Sequence, residues 1–127
     1  MKRIKTDKAP QAIGTYSQGT RVGDVIYTSG QIAINPKTGT ILAENIRDEV
    51  IQVLNNIEAI LIEGGSSKNN IIKLTVFMID LSKFNEVNLA FEVFFKTKDN
   101  FPSRSTIEVS KLPMGVNIEI EAIGVIS

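Results

Sequence analysis

Apolar residues spaced three and four apart mark one segment above all. Ile46, Val50, Val53, Leu54, Ile57, Ile60 and Leu61 recur at that spacing, with charges and amides between them. This predicts an amphipathic helix over Arg47–Glu63. Asn45 stands before it as a candidate N-cap, and Asp48 and Glu49 fall in the first turn, where the helix dipole favours negative charge. Gly64-Gly65 supplies the stop. A second helix, over about Lys83–Lys96, follows from the stripe Phe84, Val87, Phe91 and Phe95, opened by Asp80-Leu81-Ser82.

Runs rich in β-branched residues predict the strands. Ser17–Val22 and Val25–Ser29 flank a turn at Val22-Gly23-Asp24-Val25, and Asn35-Pro36-Lys37-Thr38-Gly39 is a further reversal. Ile71–Ile79 is apolar on both faces, which predicts a central strand. Arg104–Val109 and Val116–Val125 predict two more, joined by a turn over Ser110–Gly115 that contains Pro113. The order ββ-α-β-α-ββ predicts an α+β sandwich, a mixed sheet with two helices on one face. The other face then needs a cover, and another copy of the chain is the simplest one.

Composition narrows the chemistry. A chain of 127 residues predicts one domain, over 1–127. Lysine plus arginine and aspartate plus glutamate both number 14, so no net field draws nucleic acid or an anionic membrane. No apolar run approaches the ~20 residues that span a bilayer. The charged start, Met1 to Lys8, does not read as a secretory signal, so the expected location is cytoplasmic. There is no cysteine and no histidine. That removes the thiolate nucleophile, the disulfide, the Ser-His-Asp triad and almost every transition-metal site. Any chemistry rests on Arg, Lys, Glu, Asp, Tyr, Ser, Thr, backbone groups and water.

Two segments concentrate such groups. Alternation puts Arg104, Thr106 and Glu108 on one face of their strand, and Asn117, Glu119 and Glu121 on one face of the last strand. Paired antiparallel about the Ser110–Gly115 turn, the strands would bring Thr106 near Glu119 and Arg104 near Glu121. Such a group suits two roles. It can be an Arg–Glu ion pair on a solvated face or at a subunit contact. It can also be a fork for a small carboxylate beside a glutamate that polarises water. Tyr16 suits either the closing of a pocket or packing at a sheet edge. Gly30, after Ser29, allows close approach by a ligand or simply a bulge. Asn88 lies on the apolar stripe of the second helix and needs a hydrogen-bond partner, and Lys73 must snorkel or pair.

Longer motifs make a resemblance specific. Ile13-Gly14-Thr15-Tyr16-Ser17-Gln18-Gly19, Thr28-Ser29-Gly30-Gln31-Ile32 and Asn35-Pro36-Lys37-Thr38-Gly39 resemble the opening of the Rid (YjgF) family of reactive-intermediate deaminases. Pro102-Ser103-Arg104-Ser105-Thr106-Ile107-Glu108-Val109, Leu112-Pro113 and Ile118-Glu119-Ile120-Glu121-Ala122 are similar to that family's C-terminal signature. The resemblance spans essentially the whole chain and is nearest to the RidA branch.

The resemblance implies a fold like that of the small trimeric chorismate mutases: a homotrimer with a central β-barrel, helices outside and three clefts between subunits. It implies a 2-iminobutanoate/2-iminopropanoate deaminase, without cofactor or metal. Such an enzyme hydrolyses 2-imino acids, formed from enamines such as 2-aminoacrylate that pyridoxal-phosphate dehydratases release, to 2-keto acids and ammonia. On this resemblance Arg104 clamps the substrate carboxylate and Glu119 positions the attacking water. Tyr16 closes the cleft from the neighbouring subunit, Ser29 and Gly30 line the pocket, and backbone groups at Thr106 contact the substrate. Asn88 is assigned structural support. Many RidA proteins carry Cys where this chain has Thr106, and Pro where it has Thr15. Thiol-based chaperone activity therefore loses its reactive group, whereas imine hydrolysis needs none. A histidine-free, metal-free site suffices for an activated imine carbon but not for a phosphodiester, which argues against a ribonuclease. The alternative is a regulatory trimer that binds 2-keto acids in the same cleft without turnover.

Overall fold

The long helix begins and ends where its caps stand. In the computed structural model, which describes residues 1–126, Asn45 is extended and its Oδ1 accepts the Asp48 N–H at 2.9 Å. Helix α1 runs Ile46–Glu63 and buries Val50, Val53, Leu54, Ile57, Ile60 and Leu61. Its last turn closes through the Gly64 N–H to the Ile60 carbonyl, and Gly65 takes φ +99°, a conformation few other residues tolerate.

Among the described residues six strands form one sheet. They are β1 (Lys2–Ile4), β2 (Gly19–Val22), β3 (Val25–Thr28), β4 (Ile71–Met78), β5 (Ser103–Glu108) and β6 (Ile118–Val125), in the spatial order β1-β2-β3-β6-β4-β5. The β2–β3 hairpin pairs Val22 with Val25 across a two-residue turn in which Gly23 has φ +58°. The central position expected of β4 is observed: it pairs antiparallel with β6 and parallel with β5. Helix α2 (Phe84–Phe95) makes the crossover between β4 and β5. Strand β1 was not legible in the charged Met1–Lys8 stretch. It is a short edge strand in which only Ile4 is buried.

Alternation assigns the faces. Leu74, Val76 and Met78 of β4 and Ile118, Ile120 and Ala122 of β6 lie beneath α1 and α2 in a single apolar core. Both helices therefore cover one face of a mixed α+β sheet, as the pattern predicts. The stripe of α2 is rotated from expectation: Val87, Ala90, Phe91 and Phe94 are buried, Phe95 is only partly buried, and Phe84 is 38% exposed. On the opposite face Val22, Tyr27 and Ile107 are exposed. Among the described residues no helix is long and apolar enough to cross a membrane.

One predicted pairing is wrong. Strands β5 and β6 are not neighbours, because β4 lies between them. Arg104 pairs with Leu74 and Thr106 with Val76, so both point to the helix face. Glu119 pairs with Phe77 and Glu121 with Thr75, which point away from it. The physical reason is burial: β6 has a continuous apolar face and fits an interior position, whereas β5 buries none of its residues and belongs at the edge.

Candidate active site

The chemically useful groups fall into two separate sets. The first surrounds Glu119. Its carboxylate lies in a cleft of about 570 Å³ lined also by Tyr16, Ser29, Gly30, Ile32 and Met114. Reciprocal backbone hydrogen bonds between Gln31 and Ile120, at 2.8 and 3.1 Å, fix the chain on either side of this contact. Gly30 is then pressed against the glutamate. A Cβ added there would overlap Glu119 Oε2 and stand 2.9 Å from its Cδ. The close approach for which glycine was noted is thus made by a side chain of the same protein.

Burial raises the Glu119 carboxyl above its ordinary pKa, and the like charge of Glu121 on the same strand face adds to the effect. Among the described residues the carboxylate takes no hydrogen-bond or ion-pair partner. Upstream, fully buried Glu49 anchors the start of β6: it accepts N–H groups from Asn117 at 2.8 Å and Ile118 at 3.2 Å, and the Asn117 side chain at 3.0 Å. Its sequence position predicts only a first-turn helix charge.

The far wall of the cleft depends on Gln18. Its buried carboxamide accepts the Thr6 N–H at 2.7 Å and donates to the carbonyls of Thr6 at 3.0 Å and Pro10 at 2.7 Å. These bonds tie segment 6–10 to the start of β2 and so set the path of the segment bearing Tyr16. The Tyr16 hydroxyl accepts the Ile13 N–H at 3.3 Å, and its ring stays half exposed beside the cleft. The Ser29 hydroxyl donates to the Ser17 carbonyl at 2.5 Å, which leaves its oxygen able to accept from a ligand.

The second set surrounds Arg104, on the other face and about 10 Å across the sheet, two strand spacings from β6. Its guanidinium carbon lies over the Phe84 ring at 5.0 Å and the Phe91 ring at 5.2 Å. It borders a groove of about 460 Å³ shared with Asn88, Glu92, Phe101 and Pro102. Burial lowers its pKa from the ordinary value, yet a guanidinium stays charged at neutral pH. Among the described residues no carboxylate pairs with it and no hydrogen bond engages its five N–H donors. Within the described chain the Arg–Glu pair on a solvated strand face is therefore not the arrangement found. Asn88 makes no hydrogen bond to the described chain either, although its position on the stripe called for a partner.

Thr106 follows on the same face of β5, but lines neither cavity, and its Oγ1 is buried without a partner among the described residues. Lys73 pairs: its ammonium donates to the Ser105 hydroxyl at 2.9 Å on the opposite face. The sequence does not mark Phe84, Phe101, Ile32 or Met114 as site residues. Phe84 carried the only usable signal, because Phe84, Asn88 and Phe91 share one helical stripe, but that stripe reads equally well as core.

The arrangement has recognisable relatives. The family model for Endoribonuclease L-PSP matches residues 6–126. The 2-iminobutanoate/2-iminopropanoate deaminase of Escherichia coli (strain K12) is 48% identical over 98% of this chain and 97% of its own. A RutC family protein of Aquifex aeolicus is 43% identical over 98% and 99%. The crystal structure of E. coli TdcF with bound serine superposes with a TM-score of 0.94 at 43% identity, covering 100% of both chains. The YjgF gene product of E. coli gives 0.93 at 46% identity over 98% of each. With a family model and relatives that match it nearly end to end, the chain belongs to the Endoribonuclease L-PSP family, the Rid (YjgF) family whose motifs its sequence carries.

Proposed function

We propose that this chain hydrolyses 2-imino acids to 2-keto acids and ammonia, in a site completed where two copies of the chain meet. The observation that carries the reading is the uncompensated guanidinium of Arg104. A part-buried cation without a counter-ion suits an anionic ligand, and its fork matches a carboxylate. Glu119 supplies the complement, an unpartnered carboxylate of raised basicity in a cleft. Relatives at 48% identity bear the name of the activity.

The chemistry is modest. Arg104 grips the substrate carboxylate. Glu119 takes a proton from water as the water oxygen bonds to C2. The C=N electron pair moves to nitrogen, which takes up the proton that Glu119 removed from the water. The carbinolamine hydroxyl then gives its proton to Glu119, the same proton passes to the amine, the C–N bond breaks to release ammonia, and the C2 carbonyl forms. Orientation and a basic carboxylate supply the help, on the order of 10²–10⁴ in rate for the proton transfer.

One chain holds Arg104 and Glu119 on opposite faces, so a second copy must bring the missing group to each cleft. The open sheet face, with Val22, Tyr27 and Ile107 exposed, suits burial against further copies in a trimer around a central barrel. Tyr16, Ser29 and Gly30 belong to the Glu119 half, and backbone groups at Thr106 lie beside the Arg104 half.

The test couples the protein to a threonine dehydratase and follows 2-oxobutanoate formation. Arg104→Ala should lose both turnover and keto-acid binding, and Glu119→Gln should lose turnover alone. Co-assembled in equal amounts, the two dead variants should recover about a quarter of wild-type activity, the chance that a cleft draws an intact half from each. A wild-type protein that gives no acceleration refutes the enzyme, and no recovery on mixing refutes the shared cleft.

A further inference from the structure

We propose that Phe84, with Phe91 behind it, is a positioning residue for Arg104: the two rings hold the guanidinium where a counter-ion otherwise would and leave its N–H donors to the substrate carboxylate. The proposal rests on the carboxylate-clamp role given to Arg104 above.

A long, flexible arginine at a sheet edge loses rotamer freedom when it is fixed, so something must hold it. A carboxylate would do so, but it would occupy the same donors that the substrate needs. Aromatic rings hold a cation through their quadrupole and leave the N–H groups unengaged. The geometry is of this second kind. The guanidinium carbon is 5.0 Å from one ring centroid and 5.2 Å from the other, within the ~6 Å over which such attraction acts.

The two rings are mounted differently. Phe91 is 3% exposed and packs edge-to-face on Phe95 at 5.8 Å, so it forms a fixed wall. Phe84 is 38% exposed and stands outside the apolar core, so hydrophobic burial does not account for its place. Two anchors hold the turn that leads into it. Asp80 Oδ1 accepts the Ser82 N–H at 3.0 Å, and Glu108 Oε1 accepts the Leu81 N–H at 3.0 Å. Glu108 lies on β5, on the same face as Arg104. The strand that carries the arginine thus also fixes the helix start that lays Phe84 across it.

Phe84→Leu is the informative variant, since it removes the ring and disturbs little packing. In protein labelled with ¹⁵N, the Arg104 Nε–Hε resonance should lose a ring-current shift when Phe84 becomes Leu, with the melting temperature nearly unchanged. The dissociation constant for 2-oxobutanoate and the KM for dehydratase-generated imine should both rise about 3- to 10-fold. kcat should stay within twofold, and Phe84→Tyr should restore binding. An Arg104 resonance that does not move, or 2-oxobutanoate affinity within twofold of wild type, overturns the proposal. If instead Arg104→Ala binds 2-oxobutanoate as well as wild type does, the clamp itself is refuted, and the resonance alone decides whether the rings hold the arginine.

Discussion

Replacing Gly30 by alanine tests whether Glu119 works from the position it occupies. The added Cβ would overlap Oε2 of that glutamate and lie 2.9 Å from Cδ and 3.1 Å from Cγ. Something must move. The backbone of the next residue is held by two hydrogen bonds to Ile120, while the Glu119 side chain is flexible and otherwise unpartnered. The carboxylate therefore swings away and the fold stays. Relieving a side-chain overlap of this kind costs about 1 kcal/mol, a few degrees in melting temperature. Displacing the group that orients water by ~1 Å or more costs about 100-fold in rate. The expected result is a kcat lowered about 100-fold in the dehydratase-coupled assay, with 2-oxobutanoate binding and the circular dichroism spectrum retained. Gly23→Ala serves as the stability control: it strains the β2–β3 turn, where Gly23 has φ +58°, but no atom lies within 4 Å of its added Cβ, so it should lower the melting temperature and leave kcat unchanged. Gly30→Ala activity within twofold of wild type would refute the positioning of water by Glu119 in this cleft.

Other outcomes follow from the same geometry. The acid limb of the kcat/KM profile should titrate at a pH above that of an ordinary glutamate, because burial and then Glu121 raise Glu119. Glu121→Gln removes the like charge and should move that limb toward lower pH, whereas an unmoved limb would assign it to another group. Glu49→Ala strands three N–H groups and should destabilise the protein by about 3 kcal/mol in urea unfolding, with Glu49→Gln much milder. Gln18→Ala should free segment 6–10, which limited proteolysis would report, and raise KM through Tyr16 with little loss of kcat.

Much of the fold is written in side-chain periodicity. The α1 stripe, its Asn45 cap and its Gly64-Gly65 stop are local features, and each stands within a residue or so of its expected place. The doubly apolar run over Ile71–Ile79 correctly marks an interior strand, observed over Ile71–Met78. Periodicity also shows that Arg104 and Thr106 share a face, but it does not tell which side of the sheet that face is. The order of strands depends on burial summed over whole elements, and the short Ser110–Gly115 connection imitates a hairpin. The site was legible as a set of residues rather than as a geometry. Arg104, Glu119, Tyr16, Ser29 and Gly30 each border one of two cavities, while Thr106 borders neither. Glu49 and Gln18 were hidden because a buried polar anchor has no sequence signature apart from the backbone groups it happens to meet.

The placement of Arg104 and Glu119 on opposite sides of one sheet has a consequence for how activity depends on dilution. With the cleft shared as proposed above, a solitary protomer holds half a site and is chemically mute. Specific activity should then fall as the protein concentration drops below the dissociation constant of the assembly. Substitutions at the subunit boundary would silence the reaction without touching an atom that reacts.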